Sequence, residues 1–164
     1  MKFRILCAAL LLSAVLFSFT GCDLLFPDLP EIRGTWDAGY GITVTVTGDS
    51  FSSDDSSSYD WDYSGKIVKF DNDSYNVLSE NPSSGNFGSI LIKITDHKGD
   101  ASQIGSYVVL RWRNYSADSS STTVETSEGY KFGAAAFTDP DAAWEGETAA
   151  DGYFSNFSTL TLIP

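Results

Sequence analysis

The sequence predicts an all-β domain: a small up-and-down barrel of about eight strands, with one short helix before the last. Three observations predict it. Beyond residue 40, apolar side chains recur at every second position in run after run, as half-buried strands require. Turn-forming pairs such as Gly48-Asp49, Asn72-Asp73 and Asn81-Pro82 separate these runs at short spacing, so strands follow one another through turns rather than crossovers. One segment alone, from Thr138 to Trp144, carries helix-start signals.

Ile42, Val44 and Val46 share one face of the first clear run and Thr43, Thr45 and Thr47 the other. Gly48-Asp49 supplies the turn of a hairpin, and Phe51 lies on the returning strand. Tyr59, Trp61 and Tyr63 then alternate with Asp60, Asp62 and Ser64, and the run continues through Gly65 to Ile67, Val68 and Phe70. A short strand is expected around Tyr75, Val77 and Leu78. From Phe87 to Thr95, Ile90, Ile92 and Ile94 alternate with Leu91, Lys93 and Thr95. The return from Ile104 to Tyr115 sets Val108, Leu110 and Trp112 opposite Val109, Arg111 and Arg113, and Thr122 to Thr126 adds a β-branched strand. Thr138 or Asp139 caps the helix, Pro140 suits its first turn, and Asp141 suits its positive dipole end. Phe157, Leu160, Leu162 and Ile163 form the last strand, closing the meander. Two serine-rich tracts, Ser50 to Ser58 and Ser116 to Ser121, are expected as solvated loop tips.

The N-terminus has a different character. Lys2 and Arg4 precede an apolar run from Ile5 to Phe19, the pattern of an export signal. A membrane-spanning helix needs roughly 20 apolar residues, and Thr20-Gly21-Cys22-Asp23 ends the run before that. Phe19-Thr20-Gly21-Cys22 resembles the lipobox of bacterial lipoproteins, with Phe19 where leucine is usual, a looseness similar to that of spirochaetal lipoproteins. The resemblance implies that residues 1–21 are a lipoprotein signal peptide and that Cys22 becomes the lipid-carrying N-terminus. Residues 22–31, with Pro27 and Pro30, then read as anchor and stiff tether, and residues 32–164 as a single barrel domain. The alternative is an ordinary cleaved signal that leaves Cys22 as a free thiol. Several acyl chains hold a protein stably where one binds only marginally. The expected location is the envelope of a diderm bacterium, the domain in the periplasm or at the surface; Asp23 does not decide between inner and outer membrane.

Gly34-Thr35-Trp36 resembles the Gly-x-Trp that opens the first strand of lipocalins. The layout is similar to lipocalin-like lipoproteins of treponemes, in which a tryptophan precedes a threonine-rich strand. Segments like Tyr63-Ser64-Gly65-Lys66-Ile67, Gly88 to Lys93 and Tyr107-Val108-Val109-Leu110 follow it. Lipocalins also pack an arginine from near the last strand over that tryptophan; here no arginine follows Arg113, and Lys131 is the one late basic residue.

Ten Lys and Arg face 22 Asp and Glu. Removal of residues 1–21 takes Lys2 and Arg4 and no acid, leaving 8 minus 22, or −14. Such a surface excludes nucleic acid, whose phosphates require clustered bases, and opposes anionic headgroups, so membrane attachment rests on the lipid. No catalytic, metal or cofactor motif is present. His97, the single histidine, lies in an expected turn between Asp96 and Asp100, where solvation alone accounts for it; a catalytic triad needs a positioned serine. Asp60 and Asp62 share a strand face and read as solvated, and Asp71-Asn72-Asp73 lacks the glycine and distal glutamate of a calcium loop. Trp36, Tyr59, Trp61, Tyr63, Trp112 and Phe87 are the candidates to line a ligand-binding interior. The competing reading is that they fill it, since an eight-stranded barrel is just wide enough for side chains to pack. The sequence therefore predicts no enzyme and no cofactor, with either a protein partner or a small apolar ligand as the object of binding.

Overall fold

Period-two patterning fixes which side of each strand is apolar, and closure of the sheet turns that side into an interior. The computed structural model describes residues 30–56, 62–73, 86–117, 121–129, 137–145 and 156–164. Its strands are β1 (Gly34–Gly39), β2 (Ile42–Val46), β3 (Ser50–Asp55), β4 (Tyr63–Asp71), β5 (Phe87–His97), β6 (Tyr107–Ala117), β7 (Thr122–Glu128) and β8 (Ser158–Leu162). Helix α1 (Pro140–Glu145) lies between β7 and β8. The strands form a closed barrel in chain order. Every neighbouring pair is antiparallel, including β8 with β1.

The first strand opens at Gly34, where the Gly34-Thr35-Trp36 resemblance puts it, although alternation alone shows no strand before Ile42, because Trp36 is the one large apolar residue in β1. Pairing supplies what the sequence lacks: Trp36 stands opposite Val44 on one side and Leu162 on the other. The serine tract beginning at Ser50, expected as a loop tip, is strand β3 as far as Asp55. Its backbone is paired on both sides, Ser53 with Val44 and with Tyr63, and Phe51 reaches the core. The strand expected around Tyr75, Val77 and Leu78 lies outside the described residues.

The interior is filled by Trp36, Val44, Val46, Phe51, Tyr63, Ile90, Ile92, Ile94, Val108, Leu110, Trp112, Val124 and Leu160. Each aromatic of this size removes roughly 150–250 Å² from water, a gross gain of about 4–6 kcal/mol at about 25 cal/mol per Å². Gly88 is required by this packing, since a Cβ there would lie 2.8 Å from the Trp112 ring. In β4 the register shifts between Ile67 and Lys69. Val68 is thereby expelled to solvent while Ile67 and Phe70 both pack on the core.

A second layer covers one wall from outside. Leu91 and Val109 have the outward parity of β5 and β6, yet both are buried, under Phe137, Ala143 and Trp144. Asp139 caps the helix as expected: its carboxylate accepts from the backbone N–H groups of Asp141 at 2.8 Å and Ala142 at 3.2 Å. Lys69 places its ammonium 4.3 Å from the centre of a Trp144 ring, an outer latch from β4 to the helix. Phe157, expected in the last strand, precedes it and lies beneath the Arg113 guanidinium at 3.9 Å.

The barrel has two unlike ends. The chain enters at one, where Pro30 and Ile32 are buried and the Trp36 indole N–H donates to the Ile32 carbonyl at 2.9 Å. Glu31 binds Asn72 and Asn86 there, and β8 finishes there, the Ile163 N–H donating to Thr35. At the far end lie the β1–β2 hairpin, the start of β4 and the connection from β5 to β6.

Candidate functional site

Of the predicted interior aromatics, Trp36, Tyr63 and Trp112 do meet inside the barrel. Tyr59, Trp61 and the anchor residue Cys22 lie outside the described residues. Phe87 is corrected: it pairs with Arg113, one residue out of phase with the interior Gly88–Trp112 pair, and so takes the outward parity. Trp36 and Trp112 are 1% and 0% exposed. Tyr115 meets the Trp36 ring edge-on at 6.3 Å. The Trp112 indole N–H and the Ser89 hydroxyl are buried without a hydrogen-bond partner among the protein groups described.

Tyr63 carries the interior to the far rim. It stacks on Phe51 at 5.1 Å within the core and on His97 at 6.1 Å toward solvent. Around it opens a depression of about 320 Å³ lined by Ser53, Asp54, Asp62, Tyr63, Ser64, Asp96 and Lys98. Two of its charged groups, Asp62 and Lys98, engage each other. Asp62 accepts from the Asp55 N–H and from the Lys98 ammonium at 2.9 Å, while its carbonyl receives the Lys98 N–H at 2.9 Å. Asp62 therefore clasps β3, β4 and the β5–β6 connection, where a merely solvated face was expected. The Lys98 hydrogen bond, then the Asp55 N–H, holds its carboxyl below the ordinary value of 3.8.

His97 ends β5 instead of occupying a free turn, and its Nδ1 accepts the Asp100 N–H at 3.1 Å. Asp100 in turn accepts from the Ser102 hydroxyl at 2.6 Å, the Ser102 N–H at 2.9 Å and the Gln103 amide at 3.1 Å. The Ser102 hydroxyl, first among these, lowers its carboxyl. These bonds wind the short 3-10 turn Ala101–Gln103; they assemble no nucleophile and base. Among the described residues, no three His, Cys, Asp or Glu side chains gather to hold a metal ion.

The far end also displays a residue that the sequence reading passed over. Tyr40 tips the β1–β2 hairpin at 97% exposure, between Gly39 and Gly41. All three take left-handed backbone, with φ of 80°, 55° and 84°. Glycine accepts this freely, whereas a side-chain-bearing residue costs roughly 1–2 kcal/mol. The conformation is held from both sides: the Asp37 carboxylate accepts the Gly39 N–H at 2.7 Å, and the Ser56 hydroxyl and N–H reach the Gly41 carbonyl at 3.0 and 3.1 Å. The available signal was an aromatic bracketed by two glycines ahead of an alternating run.

Set beside known proteins, the chain matches no family model, no curated protein and no solved structure.

Proposed function

We propose that this chain is a lipid-anchored envelope protein of a diderm bacterium, tethered through Cys22, whose barrel is an interaction module with no catalytic role. One observation carries the module reading. The positions a carrier would keep open are taken by Trp36, Trp112 and Phe51, each no more than 2% exposed, with isoleucine, leucine and valine between them. The depression at the rim is an open one lined mostly by serine and charged residues, and its lysine is paired. The outward residues of β1, β2 and β3 are hydroxyls and carboxylates, a surface suited to polar contact.

A second reading, a carrier or sensor of a small apolar ligand, is favoured by the unpartnered Trp112 indole N–H, which would suit an acceptor atom inside the barrel. Both readings are open to one set of measurements. In a diderm host the wild-type chain should take up labelled palmitate and lose residues 1–21, while Cys22→Ser accumulates as unlabelled precursor; normal processing of that variant would sink the anchor. Titration with palmitate or haem should leave tryptophan fluorescence unchanged, and native mass spectrometry should find the protein without an adduct. A saturable shift that Trp112→Phe abolishes would replace the module with the carrier.

A further inference from the structure

We propose that Tyr40 is an anchor residue with which the far end of the barrel docks a protein whose contact face is basic around an apolar socket. The inference rests on the module reading and adds the partner's chemistry. A tyrosine at this tip does nothing for the isolated protein: its backbone is left-handed, at a cost, and its ring, 97% exposed, buries nothing against the fold. Glycine or asparagine would relieve the backbone cost. Tyrosine is the kind of residue that repays such a position at an interface, because it offers a large rigid surface with little rotamer freedom to lose.

The surroundings define what would cover it. Among the described residues, the same end carries Asp37, Asp54, Asp62, Asp96 and Asp100, against Lys98, which Asp62 engages, and His97. Ile104 adds a second exposed apolar group in the β5–β6 connection. An acidic field around an aromatic tip steers a positively charged protein surface toward it. A lipid bilayer fits less well, because anionic headgroups meet repulsion and the chain enters the barrel at the opposite end, beside Ile32.

The test uses the full-length chain in its native cell, with the photo-crosslinker p-benzoylphenylalanine at position 40 and, in separate strains, at the outward positions Thr45 and Thr161. The expected result is a protein adduct from position 40. With that protein purified, Tyr40→Ala should bind at least about tenfold more weakly, Tyr40→Phe should stay within about threefold of wild type, and added salt should weaken binding. Tyr40→Gly should melt above wild type while losing binding, which separates the anchor role from a structural one. Adducts to lipid alone, equal binding by Tyr40→Ala, or a lower melting point for Tyr40→Gly would overturn the proposal. Protein adducts from Thr45 or Thr161 but not from position 40 would overturn the anchor and leave the module standing. No protein adduct from any of the three positions would overturn both.

Discussion

The wall made by β5 and β6 and the wall made by β8, β1 and β2 belong to one barrel but are built on different terms. In the first, successive residues from Gly88 to Ile92 and from Val108 to Trp112 are all buried: even positions face the interior, and on the other side Leu91 and Val109 lie under Phe137 and helix α1. In the second, burial stops at alternate residues: Val44, Val46 and Leu160 go in, while Thr43, Thr45, Thr159 and Thr161 face out. Pairing differs too. β5 and β6 hold seven residue pairs in unbroken register, whereas β1 and β8 close the barrel through two. Stability is thus concentrated in the double-layered wall, and the single-layered wall supplies closure and free surface. The far-end hairpin that displays Tyr40 springs from this second wall, which no second layer covers among the described residues.

The largest expected effect tests closure. Deleting residues 158–164 removes Leu160 from the core and leaves β1 and β7 with unpaired edges. The truncated chain should lose its cooperative thermal transition and aggregate. A soluble truncation with a normal melt would mean that two residue pairs at the β1–β8 seam contribute little and that the other seven strands hold without it.

A smaller effect compares two outward-facing positions directly. Leu91→Ala should cost about 2–4 kcal/mol in chemical denaturation, because it opens a cavity beneath Trp144. Thr161→Ala, on the same side of the sheet but in the single-layered wall, should stay within about 0.5 kcal/mol. Equal values at the two sites would remove the distinction between the walls.

The smallest effect concerns acid. Asp62, Asp100 and Glu125 all have folded-state carboxyls below their ordinary values; for Glu125 the cause is first the Arg113 guanidinium, whose Nε lies 2.7 Å away. A lowered folded pKa means that the stabilisation is complete above the unfolded value and is lost as pH falls through the folded one. Stability should therefore be level near neutrality and decline below about pH 4, where these clasps take up protons. Carboxyl titration followed by NMR in Lys98→Ala should move Asp62 back toward 3.8; an unmoved Asp62 would show that the Asp55 N–H alone sets its value.

The order of the strands was legible in the sequence because period-two burial is a local property: Ile90, Ile92, Ile94, Val108, Leu110 and Trp112 can be assigned to one face without knowing what they meet. The helix was legible for the same reason, since Asp139 and Pro140 act within one turn. Tertiary structure decided what alternation cannot encode. It made the serine tract from Ser50 to Asp55 a strand, because two neighbours satisfy its backbone, and it paired β1 with β8, where closure gives Trp36 its place. It buried Leu91 and Val109 on the supposedly outer face, because a helix from much farther along the chain covers them. It turned Asp62 from a solvated carboxylate into a clasp by bringing Asp55 and Lys98 to it. Tyr40 escaped notice because it lies between two glycines, ahead of the alternating run, where period-two patterning says nothing; only the turn that aims it outward, with three left-handed residues in a row, distinguishes a displayed ring from a buried one.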